Sequence, residues 1–166
     1  MRILLAFLSC GLLFAAACAQ EGRGDLEALR REANQAVQAE NWDAAASAFR
    51  RLVEADPNDG DAWHMLGYSL HSGGKLDEAL PAHIRATEFP QVASTAAYNA
   101  ACAYARKGEK DKAFEWLEKA MAFGFSQGEV VELDSDLESL RADPRFQPLV
   151  ARLKARAGGL PEPAGP

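Results

Sequence analysis

Apolar residues are arranged in two different ways along this chain. The first arrangement is a nearly unbroken apolar stretch, which follows the basic Arg2 and ends where charge begins abruptly at Glu21. Near the other end, apolar residues recur with the spacing of one helix face, in the stripe formed by Phe146, Leu149, Val150 and Leu153. The pattern therefore predicts a leader segment at one end and an amphipathic helix at the other.

A repeat organises the residues between these ends. Three aspartates are each followed two residues later by an alanine, and the interval between copies is 34 residues, because 79 minus 45 and 113 minus 79 both give 34. The paired positions are Asp43 and Ala45, Asp77 and Ala79, and Asp111 and Ala113. Further columns keep this phase, among them the small residues Ala33, Gly67 and Ala101. Columns in phase predict three copies of one structural unit.

The repeat resembles the tetratricopeptide family, whose unit of about 34 residues is a helix-turn-helix. The second copy carries the family's tryptophan, leucine and glycine as Trp63, Leu66 and Gly67, with Leu70 where the family has tyrosine. The resemblance implies an all-α fold: three helix-turn-helix tetratricopeptide repeats, stacked as a short superhelix, with C-terminal capping helices. The repeats are expected at about 26–59, 60–93 and 94–125, within residues 26–125.

Helix ends follow from the same columns. Gly74 and Gly108 are expected to end the first helices of the second and third repeats, because glycine accepts left-handed backbone geometry without a side-chain penalty. The predicted helices span 25–39, 43–55, 60–72, 77–88, 94–106 and 111–122.

The residues after the repeats are expected to cover the last hydrophobic face of the array. Gly124 indicates a helix stop, and residues 126–156 are predicted to form capping helices, with Ser135 and Glu138 as a capping box. Residues 157–166 are rich in glycine and proline and are expected to be disordered.

The apolar start predicts a secretory signal peptide. Cleavage after Ala17-Cys18-Ala19 fits the rule for ordinary signal peptidase and would make residues 1–19 the signal. The sequence Ala15 to Cys18 also resembles a bacterial lipobox, although Ala15 stands where that pattern usually has leucine; cleavage after residue 17 would then leave a lipidated Cys18. Both alternatives predict an exported protein in the periplasm or at the outer membrane, bound to the membrane only through lipid on Cys18.

The net charge of the chain limits the classes of partner that it is expected to bind. Arg2 is the only charged side chain before Gln20, so a chain that begins there has 17 basic and 24 acidic residues, a net charge of -7. This balance argues against a general nucleic-acid binder, which needs a basic face to neutralise phosphates.

The family resemblance implies that the first helices of the repeats line an inner groove where a protein or peptide partner lies. Aromatic side chains there would supply contact area, and arginines would bind carboxylates. The residues that this phase places in the groove are Arg30, Asn34, His64, Tyr68, His71, Tyr98, Asn99, Cys102 and Arg106.

Chemistry other than binding has little support in the sequence. His64 and His71 are seven residues apart, about 10.5 Å along a helix, which is too far for two ligands of one ion. Asp134-x-Asp136-x-Glu138 lacks the glycine of a calcium loop and is interpreted as a helix start. No metal or cofactor is therefore predicted, and His83 is expected to be a half-buried imidazole with satisfied hydrogen bonds.

The predicted function is that of a non-catalytic protein- or peptide-binding module, an adaptor or scaffold in the bacterial cell envelope. Two alternatives stay open. One is a structural envelope lipoprotein without a groove ligand. The other is a hydrolase that uses Cys102 with His64 or His71, although Cys102 lacks the local signature of a cysteine nucleophile.

Overall fold

The computed structural model describes residues 24–158. Helices α1 to α8 cover residues 24–38, Trp42–Ala55, Gly60–Ser72, Leu76–Ala86, Ala93–Arg106, Lys110–Ala122, Gly128–Leu133 and Phe146–Ala157, and a 3-10 helix covers Ser135–Leu140. Residues 24–158 contain no strand, so the predicted all-α class is confirmed.

The six helices of the repeats begin and end within two residues of the predicted bounds. Gly74 and Gly108, which follow α3 and α5, have φ angles of 76° and 77°, and Gly124 after α6 has 98°. These are left-handed conformations that glycine adopts without steric cost. The helix-ending role predicted for all three glycines is confirmed.

Helices that follow one another along the chain from α2 to α6 pack against each other. The close contacts depend on small side chains, because Ala45, Ala79 and Ala113 are all fully buried. Gly67 is also closely packed: a Cβ atom there would lie 2.5 Å from Nδ1 of His83 on α4. The repeated small residues therefore set how closely the helices approach.

The aspartates that revealed the repeat form a series of ion pairs between neighbouring hairpins. Each sits in the first turn of a second helix and binds a cation of the next unit along the chain. The pairs are Asp43 with Lys75 at 2.6 Å, Asp77 with Lys107 at 2.6 Å, and Asp111 with Arg145 at 2.9 Å. All three aspartates are well exposed, so solvent screens each pair and it contributes little to stability.

The cap consists of α7, the 3-10 helix and α8. The predicted stripe of α8 is confirmed, since Phe146, Leu149, Val150 and Leu153 are all at most 3% exposed. The predicted capping box at Ser135 is wrong. Asp134 caps the 3-10 helix instead, its Oδ1 accepting from the amide of Asp136 at 2.9 Å. An aspartate carboxylate readily accepts from the backbone N–H two residues ahead and so closes a turn.

Several predictions fall partly or wholly outside the described residues. The signal peptide at residues 1–19 and the candidate lipidation site Cys18 lie outside them, as do residues 159–166 of the expected tail. Ala157, predicted as the first residue of that tail, is instead the last residue of α8. Within residues 24–158, no helix has the length and apolar character needed to cross a membrane.

Candidate peptide-binding groove

Two rows of side chains cross the first helices of the repeats. The first row has Arg30, His64 and Tyr98, and the second has Asn34, Tyr68 and Cys102; each step along a row is 34 residues. Stacked repeats place equivalent positions side by side, so each row runs over α1, α3 and α5. The structure divides this predicted groove into an open part, over α1 and α3, and a covered part, over α5.

The open part presents an aromatic pair. Tyr68 is 41% exposed, and its ring meets that of Trp42 edge to face, with centroids 5.9 Å apart and planes at 83°. Asn34, in the same row as Tyr68, is exposed on α1. This surface therefore offers aromatic area and an amide that can donate or accept hydrogen bonds.

The first row is more enclosed over α1 and α3. Arg30 binds the carboxylate of Asp59, and Asp59 also accepts from the amide of Ala62 at 2.9 Å to cap α3. Arg30 thus ties α1 to the start of α3. His64 is half-buried, burial lowers its pKa, and its Nδ1 has no hydrogen-bond partner among the described residues.

The covered part lies under residues 128–140, which we call the crossing segment. Tyr98 is only 6% exposed and donates its hydroxyl hydrogen bond to Asp134 of this segment. The thiol of Cys102 faces the same carboxylate, with sulfur and oxygen 3.8 Å apart. Tyr98 also stacks on Phe125 at a centroid distance of 4.5 Å. The crossing segment of the same chain therefore covers both rows at their third-repeat end.

A second carboxylate of the crossing segment binds the ends of α3 and α5. Nε2 of His71 donates to Asp136 at 2.7 Å, and Nε of Arg106 lies 3.6 Å from the other oxygen of that carboxylate. Arg106 also donates to the carbonyl of His71 at 3.3 Å. The hydrogen bond from His71 holds the pKa of Asp136 below its usual range. Asn99, the remaining predicted residue, is half-buried.

The crossing segment is a structural part of the core. Leu137 and Leu140 are fully buried, and Ser139 donates to the carbonyl of Ala105 at 3.0 Å. Exposing the two leucines would cost about 3 to 6 kcal/mol in transfer free energy alone. The expectation of an open surface at Tyr98 and His71 is therefore corrected: their own chain covers them, whereas Asn34 and Tyr68 stay accessible.

His83 differs from its expectation as well. It is fully buried, and neither ring nitrogen has a hydrogen-bond partner among the described residues. Burial lowers its pKa to about 3, so the ring is neutral at physiological pH. Its centroid lies 5.8 Å from that of His71, yet no group of histidine, cysteine or carboxylate side chains in residues 24–158 has the arrangement of a metal site.

Cys102 has the environment of a packed thiol. It is 3% exposed, and burial raises its pKa well above the ordinary value. A nucleophilic cysteine needs a lowered pKa and access to substrate. The geometry therefore gives no support to the hydrolase alternative.

Sequence reasoning missed three residues that shape the groove. Asp134 and Asp136 occupy its third-repeat end, and Trp42 forms one side of the exposed aromatic pair. The spacing Asp134-x-Asp136 was visible in the sequence, but it indicates only a helix start unless the position of α5 beneath it is known. Trp42 directly precedes the repeated aspartate Asp43 in the sequence, and only the packing of its ring shows that it contacts Tyr68.

Comparison with protein families decides the type of repeat. Tetratricopeptide-repeat models match residues 30–93 and 94–122. Residues 30–122 are tetratricopeptide repeats. A chloroplastic protein of Arabidopsis thaliana is 32% identical to this chain over 87 residues, which are 51% of this chain and 26% of that protein. The chain thus spans about a quarter of that relative's length.

Solved structures with similar folds support the tetratricopeptide assignment. The CopN–Scc3 complex contains a chain that is 26% identical, with a TM-score of 0.58, over 70% of this chain and 69% of that one. PcrH in complex with the chaperone-binding region of PopB is 24% identical, with a TM-score of 0.57, over 79% and 93% of the two chains. MamA is 17% identical, with a TM-score of 0.66, over 87% and 82%. The last two likenesses concern the fold alone.

Proposed function

We propose that this tetratricopeptide array is an exported, non-catalytic adaptor that binds a segment of a partner protein on the open groove face of α1 and α3. The observation that carries the proposal is the exposure of Tyr68 beside Trp42, in the same row as Asn34. Exposed aromatic side chains that keep their position by packing supply much of the binding energy at protein interfaces.

Two neighbours support a protein partner rather than a small molecule. One is described as the CopN–Scc3 complex, and the other as PcrH bound to the chaperone-binding region of PopB. In the present chain, the groove face and the leader segment are the two features that bear on the identity of its own partner.

The leader supports a site of action in the bacterial cell envelope. A basic start, an apolar stretch and a small-residue cleavage region are the features of a secretory signal. If Cys18 carries lipid, Cys18→Ser abolishes acyl labelling and releases the protein from membranes. If cleavage follows Ala19, the same variant remains soluble and begins at Gln20. Retention of an uncleaved protein in the cytoplasm would contradict the proposed site of action in the cell envelope.

Cross-linking in intact cells, followed by mass spectrometry, identifies the partner. Titration of the purified partner then tests the groove. Tyr68→Ala is expected to weaken binding by about 1 to 2 kcal/mol, because it removes an exposed aromatic contact. Glu115→Ala, on α6 and outside the groove helices, serves as the matched control and is expected to change little.

Two outcomes contradict the proposal. Equal losses from Tyr68→Ala and Glu115→Ala would show that the groove face does not select the partner. Recovery of partners whose binding no groove substitution affects would instead favour a structural envelope lipoprotein.

A further inference from the structure

The surroundings of the open groove face carry more negative than positive charge. The crossing segment has five acidic side chains and no basic one: Glu129, Glu132, Asp134, Asp136 and Glu138. Lys154 of α8 pairs with Glu132, and His71 and Arg106 bind Asp136. Residues 24–38 of α1 hold three acidic and two basic side chains, and α3 contributes Asp61. A negative border attracts cationic partners over roughly a Debye length, about 8 to 10 Å at ordinary ionic strength.

The arginine of the groove rows on α1 already has a carboxylate partner. Arg30, the arginine in the groove rows of α1, binds Asp59 at the start of α3. A partner carboxylate would have to compete with Asp59 for this guanidinium. The pairing therefore disfavours an acidic partner.

Apolar side chains accompany the negative charge. Tyr68 with Trp42 forms the exposed aromatic pair, and Leu133 of the crossing segment is 78% exposed directly before Asp134, while Val130 is 44% exposed. Apolar surface bordered by carboxylates complements a segment that carries apolar and basic residues together.

We infer that the open groove face receives a cationic, amphipathic segment of the partner protein. This inference rests on the proposed function and adds the chemistry of the partner. The apolar residues of such a segment lie against Tyr68 and Trp42, and its lysines or arginines face the carboxylates that border the groove.

Two labelled peptides of about 14 residues test the charge preference. One has leucine and lysine in an amphipathic pattern, and the other has glutamate in place of every lysine. Fluorescence anisotropy with the full mature protein is expected to show binding of the lysine peptide only. Binding should weaken about tenfold or more in ~0.5 M NaCl, because exposed charges are then screened.

Variants separate this surface from general attraction to an acidic protein. Glu27→Gln, Asp61→Asn and Glu138→Gln together remove three carboxylates, one each from α1, α3 and the crossing segment, without touching Asp134 or Asp136. Glu54→Gln, Glu78→Gln and Glu115→Gln make the same change in charge on the outer helices α2, α4 and α6. The first triple variant and Tyr68→Ala should each weaken the lysine peptide about tenfold, and the outer triple variant less than about twofold.

Equal effects of the two triple variants, equal binding of the two peptides, or binding of neither would overturn the inference. The proposed function fails separately. If Tyr68→Ala weakens binding of the cross-linked partner but the bound segment of that partner is neutral or acidic, the proposed adaptor function is supported and the inferred preference for a cationic segment is wrong. If Tyr68→Ala leaves the affinity for the partner unchanged, the proposed adaptor function is wrong.

Discussion

His71 at the end of α3 donates a hydrogen bond from Nε2 to Asp136, 2.7 Å away and 65 residues further along the chain. The contact joins the second repeat directly to the cap, past the whole of the third repeat. Arg106 of α5 lies beside the same carboxylate and also donates to the carbonyl of His71. The helices α3 and α5 and the 3-10 helix therefore meet at the Asp136 side chain, which fixes the third-repeat end of the groove.

Removing this carboxylate should destabilise the array. Asp136→Ala leaves the Nε2 donor of His71 without its partner in a site that is mostly buried, and we expect the free energy of unfolding to fall by about 1 to 3 kcal/mol. Urea unfolding followed by circular dichroism measures the change. Glu118→Ala breaks an exposed pair with Arg152 and is expected to cost less than about 1 kcal/mol. Similar losses in the two variants would argue against a structural role for Asp136.

The buried imidazole of His83 should make the protein sensitive to acid. Its pKa rises from about 3 in the folded protein to its ordinary value of 6.5 on unfolding, so only the unfolded chain gains the proton between these values. Stability is therefore complete above pH 6.5 and falls as the pH drops toward 3. Between pH 6 and pH 4.5, the loss from this residue is about 2 kcal/mol.

His83→Phe removes that titration and should flatten the pH dependence in the same window. His64 and Asp136 contribute in the same direction, but they are present in both proteins, so the difference between the two unfolding curves isolates His83. Identical slopes from pH 6 to 4.5 would show that His83 is already charged or exposed in the folded protein.

Ala79→Leu tests the packing of the repeats. Ala79 is fully buried, and extra methylene groups at a close helix contact force neighbouring side chains out of position. We expect a loss of about 1 to 3 kcal/mol in the free energy of unfolding. Ala151→Leu, at an exposed position of α8, is the control and should change stability by less than about 0.5 kcal/mol. An unchanged melting curve for Ala79→Leu would mean that the helix contact is looser than the structure shows.

Cys102 should react with alkylating reagents only when the protein unfolds. It is the one cysteine in a chain that begins at Gln20, and it lies beneath Asp134 with a raised pKa. Mass spectrometry after iodoacetamide treatment should find no adduct in buffer and a full adduct in denaturant. Rapid labelling of the folded protein would reopen the possibility of a reactive thiol.

The sequence alone determined the repeat, because the 34-residue columns reflect contacts that every copy makes in the same way. Small residues such as Ala79 pack between neighbouring helices, and Gly74 and Gly108 end helices by local backbone geometry. Both causes act over short stretches of chain and recur, so the periodic pattern, together with the tetratricopeptide resemblance that it carries, was sufficient to predict the all-α class and the helix ends.

Only the tertiary structure decided which part of the groove is open. Tyr68 and Tyr98 have similar places in the sequence pattern, since each belongs to a groove row and the two rows are one helix turn apart. In the structure, however, Tyr68 is 41% exposed and Tyr98 is 6% exposed. The difference arises because Asp134 crosses α5 and accepts the hydroxyl hydrogen bond of Tyr98, 36 residues earlier in the chain. The crossing segment occurs once and follows no periodic column, so its path depends on long-range packing of Leu137 and Leu140 that no local pattern records.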